Sequence, residues 1–435
     1  MVGLVNQILQ RENFRRASAL VFAISIVVTL LFWMILPTDF RINESTDYTG
    51  FYEPLARSVL EGRAFTHSDG TPATRYPPGY PLLLAGVFGL SHLLNISEAT
   101  SLSAFILLCM GLESVLVFML ARTVWRPSLA LVSSLVWITY PFALWLTKQP
   151  FSENPFIAVL YGGFYLFWYA LLRRSSAWPT YFVSGLLVGC AMLIRPIAIG
   201  VGFIMAVIIY LLRRDISGWS RLCLITMLLF GNFMAIFPWE AWVYSNTGNV
   251  VVLSSSGAIA IRDGLTFAVS GGFRRVGGLP ADVMVLMKDL SGRGDEMESL
   301  QQIITVMTEQ MRTRPLTVIK LFAIKSVLSW YGIDRRRFET YTMLIQIPYM
   351  VLILWGSWAA WKKGGPSKEL TISIWLMVAY FWGVTLLVSP LLRYMTPVMG
   401  LLFVLIPGSF LSTTSRKDQP LQEGNSTARP LLSAR

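Results

Sequence analysis

Ser45–Gly86 reads STDYTGFYEPLARSVLEGRAFTHSDGTPATRYPPGYPLLLAG, and its placement fixes the topology of everything that follows. An apolar run of about 20 residues from Ala17 comes directly before it, long enough to cross a bilayer core. Arg11, Arg15 and Arg16 precede that run and no small-residue cleavage site follows it. The run reads as an uncleaved signal anchor with its basic end in the cytoplasm, so Ser45–Gly86 begins on the far side of the membrane. Its apolar end, 79–94 (GYPLLLAGVFGLSHLL), either crosses back or lies on the outer surface, and 316–331 (LTVIKLFAIKSVLSWY) poses the same choice. Charge decides. If neither crosses, Arg122/Arg126, Arg173/Arg174, Arg213/Arg214, Lys362/Lys363 and Arg416/Lys417 all fall on the cytoplasmic side; if 79–94 crosses, the first three pairs land outside. The positive-inside rule therefore favours about ten spans. They lie near 18–37, 102–121, 128–146, 155–172, 178–194, 196–212, 219–240, 341–361, 370–389 and 394–413.

Composition agrees with an all-α polytopic membrane protein. Of 435 residues, 54% are hydrophobic and only 14% charged, far from the balance of a soluble domain. The net charge of +12 comes from short clusters between apolar runs, which topology explains better than a nucleic-acid-binding face. Cys109, Cys190 and Cys223 sit within apolar runs, so packing is expected rather than disulfides. His67 and His92 lack ligand spacing, and no nucleotide-binding loop is visible.

The topology divides the chain into a cytoplasmic N-terminus (1–17), a transmembrane core (18–240) with an outer loop at 38–101, an extracytoplasmic region (241–340), C-terminal transmembrane helices (341–413) and a disordered cytoplasmic tail (414–435). In the outer loop Phe51, Leu55 and Val59 recur at helical spacing opposite Glu53, Arg57 and Glu61, the pattern of an amphipathic interfacial helix. The region 241–340, rich in Gly and Ser around 254–280, suggests loops and a few short helices.

Ionisable residues gather on the outer side. Asp47 follows the first span closely, with Glu44 beside it; a carboxylate at a membrane boundary serves as a general base when partly buried, or is a solvated loop acid. Arg195 (CAMLIRPIAIG) stands at the junction of two spans, where Arg is costly and either functional or snorkelling to headgroups. Arg393 (SPLLRYMTP) opens the last span, and Lys148 and Glu153 share the short outer segment TKQPFSEN. Such cations suit the phosphate of a lipid carrier, or anchor the protein at the interface. Glu113, mid-span, has no assigned role.

The order of these elements resembles the GT-C class of integral-membrane glycosyltransferases, in the branch of protein O-mannosyltransferases and aminoarabinose transferases. The motifs are Asp47 with Tyr52, Ala56 and Gly62; Arg75-Tyr76-Pro77-Pro78-Gly79-Tyr80-Pro81; Glu153 opening the fourth span; Arg195-Pro196 closing the fifth; Pro238-Trp239 ending the seventh; Ser254, Gly257 and Gly264; and Arg393-Tyr394-Met395-Thr396-Pro397. One departure is Glu240-Ala241-Trp242-Val243, where relatives often carry Arg-Asn.

The resemblance implies an inverting glycosyltransferase that takes a sugar from a polyprenyl-phosphate donor to an acceptor hydroxyl on a glycan, lipid or protein. The active site would be extracytoplasmic and the membrane that of a bacterial inner (plasma) membrane. Asp47 and Glu153 are then catalytic candidates, and Arg195, Arg393 and Lys148 donor-phosphate contacts. Tyr52, Arg75, Tyr76 and Tyr394 are candidates for substrate binding. No metal and no other cofactor is expected, unless a diphosphate donor brings a divalent ion. A transporter or lipid flippase is the alternative; against it, no internal repeat of spans is visible.

Overall fold

The structure is a computed structural model that describes residues 2–37, 47–63, 65–67, 69–269, 278–333 and 338–410, with residues 2–13 described by their backbone alone. Glu44 and the tail after 414 lie outside the described residues. Among these the chain is helical, with one isolated bridge between Thr66 and Pro72 and no strand.

Among the described residues six helices are long and apolar enough to cross a membrane: α1 (Val2–Ile35, through its Phe14–Ile35 portion), α4 (Glu98–Arg122), α7 (Glu153–Leu172), α10 (Gly218–Thr247), α15 (Glu339–Lys363) and α16 (Gly365–Leu387). Shorter apolar helices stand among them: α3 (Gly79–Leu94), α5 (Pro127–Ile138), α8 (Trp178–Ile194) and α9 (Val201–Leu212), the last preceded by a 3-10 turn at Pro196–Ala198. The chain is an all-α polytopic membrane protein.

Two boundaries differ from the reading by hydropathy. The stretch 128–146 is not one helix: α5 ends at Ile138 and α6 (Pro141–Leu146) starts afresh. Pro141 lacks an N–H and forces Tyr140 into an extended conformation, φ −68° and ψ 115°. Conversely, α10 continues through Pro238 to Thr247 and stops at Gly248, whose φ of 69° suits a left-handed cap.

Small residues let the helices approach. Gly111 of α4 faces the Phe22 ring of α1, and Ser25 bonds to the Met110 carbonyl (3.2 Å) and Ser114 hydroxyl (2.9 Å) across the same contact. Gly185 and Gly189 of α8 meet the backbone of α10 around Leu228 and Asn232, while Gly231 returns the contact at Phe182. At these glycines backbone meets backbone, so the helix axes come close, as lipid-buried pairs favour.

The remaining helices sit at the membrane end that carries Asp47. A π turn (Tyr48–Tyr52) leads into α2 (Glu53–Leu60), whose Leu55 and Ala56 are buried while Arg57 bridges Glu53 (2.7 Å) and Glu98 (2.9 Å). The amphipathic spacing in the outer loop thus corresponds to a real half-buried helix. The region 241–340 is more helical than its composition suggests. It forms α11 (Gly257–Leu265), α12 (Ala281–Gly292), α13 (Leu300–Thr313) and α14 (Pro315–Leu328) around a small core of its own, with Leu286, Met287, Leu290, Ile303 and Leu321 at its centre. A capping box at Ser299 and Gln302 starts α13. Finally α17 (Leu392–Phe403) turns back into the main core.

Candidate functional site

Three helix ends meet at this side of the bundle. Glu153 is the first residue of α7, where the helix N-terminus favours a negative charge. Arg195 is the residue at which α8 stops; Pro196 disfavours the helical state for it, and it adopts φ −143° and ψ 120°. Arg393 lies in the first turn of α17, after the extended Leu391.

Glu153 is only 1% exposed, and a guanidinium engages each of its oxygens. Arg195 Nη1 stands 2.8 Å from Oε2, and Arg393 Nε donates to Oε1 at 3.1 Å. The Arg195 contact is an ion pair whose alignment falls short of a hydrogen bond. Arg195 Nη1 also donates to the Ser152 hydroxyl at 2.8 Å. The Tyr394 ring lies 5.7 Å from the Arg195 guanidinium and 5.4 Å from that of Arg393, and Phe151 lies 5.8 Å from the latter. Stacking on these rings holds the planes of both cations. Two cations around one carboxylate leave a net charge of +1 in a largely buried place, which attracts an anion.

Asp47 forms a second group. Its Oδ1 accepts from the Tyr76 hydroxyl at 2.9 Å, and among the described residues no other hydrogen bond reaches this carboxylate. Burial, together with the neighbouring Asp47 charge, pushes the Tyr76 phenol up to about 12, so it stays a donor at neutral pH. Arg75 stacks over Phe51 at 4.4 Å and lies 5.8 Å from the Tyr76 ring.

Tyr52 joins the two groups. Its ring packs 5.1 Å from Tyr76 and 4.9 Å from Tyr80. Burial raises its phenol most, with the charges of Arg195, Asp47 and Glu153 all acting on it. The Tyr80 hydroxyl donates to the Pro150 carbonyl at 2.6 Å, which ties α3 to the segment carrying Ser152 and Glu153. Tyr52, Tyr76, Asp47, Arg75, Glu153, Arg195, Arg393 and Tyr394 therefore occupy one neighbourhood. Lys148 shares the Glu153 segment, and its ammonium sits 4.2 Å over the Trp145 ring.

Several contributors carry no readable signal in the sequence. Tyr380 of α16 donates its hydroxyl to the Ile197 carbonyl (2.8 Å) and accepts from the Gly200 N–H (2.7 Å). It thereby satisfies backbone groups released where Pro196 breaks the helix beside Arg195. Ser152 and Phe151 adjoin Glu153, so adjacency was their only clue. Among the described residues no three His, Cys, Asp or Glu side chains gather as a metal cage requires.

A buried carboxylate between two arginines lies near a half-buried Asp at one end of an all-helical membrane bundle. Residues 76–242 match the family described as dolichyl-phosphate-mannose-protein mannosyltransferase. That stretch includes Tyr76, Lys148, Glu153 and Arg195, with Asp47 and Arg393 on either side of it. The match supports the resemblance to GT-C membrane glycosyltransferases, in their mannosyltransferase-like branch. No curated protein matches the chain.

Proposed function

We propose that this protein is an inverting glycosyltransferase that takes a sugar from a polyprenyl-phosphate donor and passes it to an acceptor hydroxyl on the extracytoplasmic side. The observation that carries this reading is the Glu153–Arg195–Arg393 triad beside Asp47. Its net positive charge suits the phosphate of the donor, and Asp47 suits the acceptor.

Asp47 takes the proton of the acceptor hydroxyl as that oxygen bonds to the anomeric carbon. The bond from that carbon to the phosphate oxygen breaks on the opposite face, its electron pair leaves with the phosphate, and the configuration inverts. Arg195 and Arg393 stabilise the charge growing on the phosphate, held in place by Glu153. The Tyr76 hydroxyl orients Asp47 through Oδ1 and leaves the other oxygen for the proton. Tyr52, Arg75 and Tyr394 shape the space between the two groups, and holding both substrates there contributes much of the remaining acceleration.

The test is transfer of label from radiolabelled polyprenyl-phosphate sugars in membranes carrying the wild type or Asp47→Asn. Wild type should label a new product, and Asp47→Asn should lose roughly 100-fold or more of that rate while binding donor normally. Equal rates would remove Asp47 from the reaction; no labelling with any donor would sink the transferase reading itself.

A further inference from the structure

At the membrane end opposite Arg393, α15 and α16 border an open groove of about 470 Å³. Trp358, Trp361, Trp375, Ile372 and Leu376 form its walls. Its polar lining is already satisfied: Trp375 Nε1 donates to the Ser357 hydroxyl at 3.1 Å, and the Thr371 hydroxyl to the Ser367 carbonyl at 2.8 Å. What faces outward is apolar and aromatic.

Two cations stand over its aromatic residues. Lys368 Nζ lies 4.5 Å over the Trp361 ring and Lys362 Nζ 5.9 Å over Trp358, and both rings line the groove. Among the described residues neither lysine has a carboxylate within ion-pair distance. The nearest acid in sequence, Glu369, is held by Arg174 at 2.6 Å. Lys363 points elsewhere, donating to the Val124 carbonyl at 2.9 Å and stacking on Trp125. An apolar groove flanked by two ammonium groups that have no carboxylate partner among the described residues is complementary to an amphiphile with an anionic head.

We infer that this groove binds a phospholipid with an anionic phosphodiester headgroup, drawn from the leaflet at that end. One acyl chain lies along the tryptophans and the phosphate sits between Lys362 and Lys368. Along α16, Lys368 stands about 28 Å from the Leu387 end that leads to Arg393, well away from the donor phosphate. A general belt of anchoring lysines would attract anionic lipid without any dependence on the groove itself.

The full chain, purified in mild detergent and exchanged into bilayer discs with equal phosphatidylglycerol and phosphatidylcholine, tests this by native mass spectrometry. Wild type should retain one phosphatidylglycerol, preferred about tenfold or more over phosphatidylcholine, given two lysines near the phosphate. Lys362→Gln combined with Lys368→Gln should bring the preference close to parity with unchanged elution and unfolding midpoint in phosphatidylcholine. Ile372→Trp fills the slot and keeps both charges, so it should lose the retained lipid; it also serves if the lysine variant fails to fold. Equal retention of both lipids by wild type would overturn the site. So would wild-type phosphatidylglycerol retention by either folded variant, or displacement of the lipid by equimolar polyprenyl phosphate.

Discussion

At the scale of single residues, Glu153 has the most to lose. A carboxylate this buried survives because two guanidiniums compensate its desolvation, and each of them in turn depends on it. Glu153→Gln keeps the shape and removes the charge, leaving two cations facing each other at a site where they are mostly excluded from water. The expected cost is about 3 kcal/mol, read as a drop of several degrees in the thermal unfolding midpoint. Adding Arg195→Met removes one of the orphaned charges, so the double variant should lose less than the sum of the two single losses. Strictly additive losses would mean that the pair does not interact as drawn. Charge placement brings Glu153, Arg195 and Arg393 to one side of the membrane, because polar interruptions of apolar runs mark span ends. It says nothing about which helix ends are neighbours. Pairing across 42 and 240 positions of chain depends on how the bundle folds back.

At the scale of elements, the clearest dependence is of α8 on α10. Gly185 and Gly189, four apart on one face of α8, turn hydrogen atoms toward the α10 backbone, and a Cβ at Gly185 would overlap the Leu228 carbonyl. Since backbone cannot step aside as a side-chain tip can, Gly185→Leu should destabilise by more than about 3 kcal/mol. Because α8 delivers Arg195, transfer activity should fall with it. Gly86, on the exposed side of α3, has open space around its Cβ position, so Gly86→Ala should leave the unfolding midpoint unchanged or slightly raised. Equal behaviour of the two variants in a thermal unfolding assay would refute the close approach. Hydropathy finds such helices readily, since each must bury an apolar length, but it is blind to breaks that proline makes within an apolar run. That is why 128–146 reads as one span and is two helices. The end of α10 differs for another reason: the apolar run stops near Trp239, yet the helix forfeits only the one bond that Pro238 cannot donate and continues to Thr247.

At the scale of the whole molecule, helices α11–α14 form a unit around their own core that hydropathy does not reveal. Their apolar positions are spaced for a small private core and diluted by polar faces. The unit is bolted to the bundle at one seam. Gly264 lies against the Val388 backbone, Gly332 against that of Pro390, and the Leu392 N–H donates to the Gly332 carbonyl at 2.8 Å. Lys325 of α14 is the polar rivet: fully buried, its ammonium donates to the Gly264 carbonyl at 2.8 Å and reaches the Leu387 carbonyl at 3.4 Å. These are carbonyls at the C-terminal ends of α11 and α16, where a positive charge is favoured, and the segment they hold leads directly to Arg393. Burial nevertheless lowers the Lys325 ammonium from 10.5 to about 7. Between those values the unfolded chain binds a proton that the folded chain does not, so folding stability rises with pH across that window. Below about pH 7 both states are protonated and the contribution is constant at its least favourable. Lys325→Met removes the titration and keeps most of the packing. The unfolding midpoint of wild type relative to Lys325→Met should therefore climb from pH 7 to pH 9.5 and stay level from pH 7 down to pH 6. Parallel curves for the two proteins over the upper range would mean that this lysine reaches water, and that the seam beside Arg393 is held by its glycines alone.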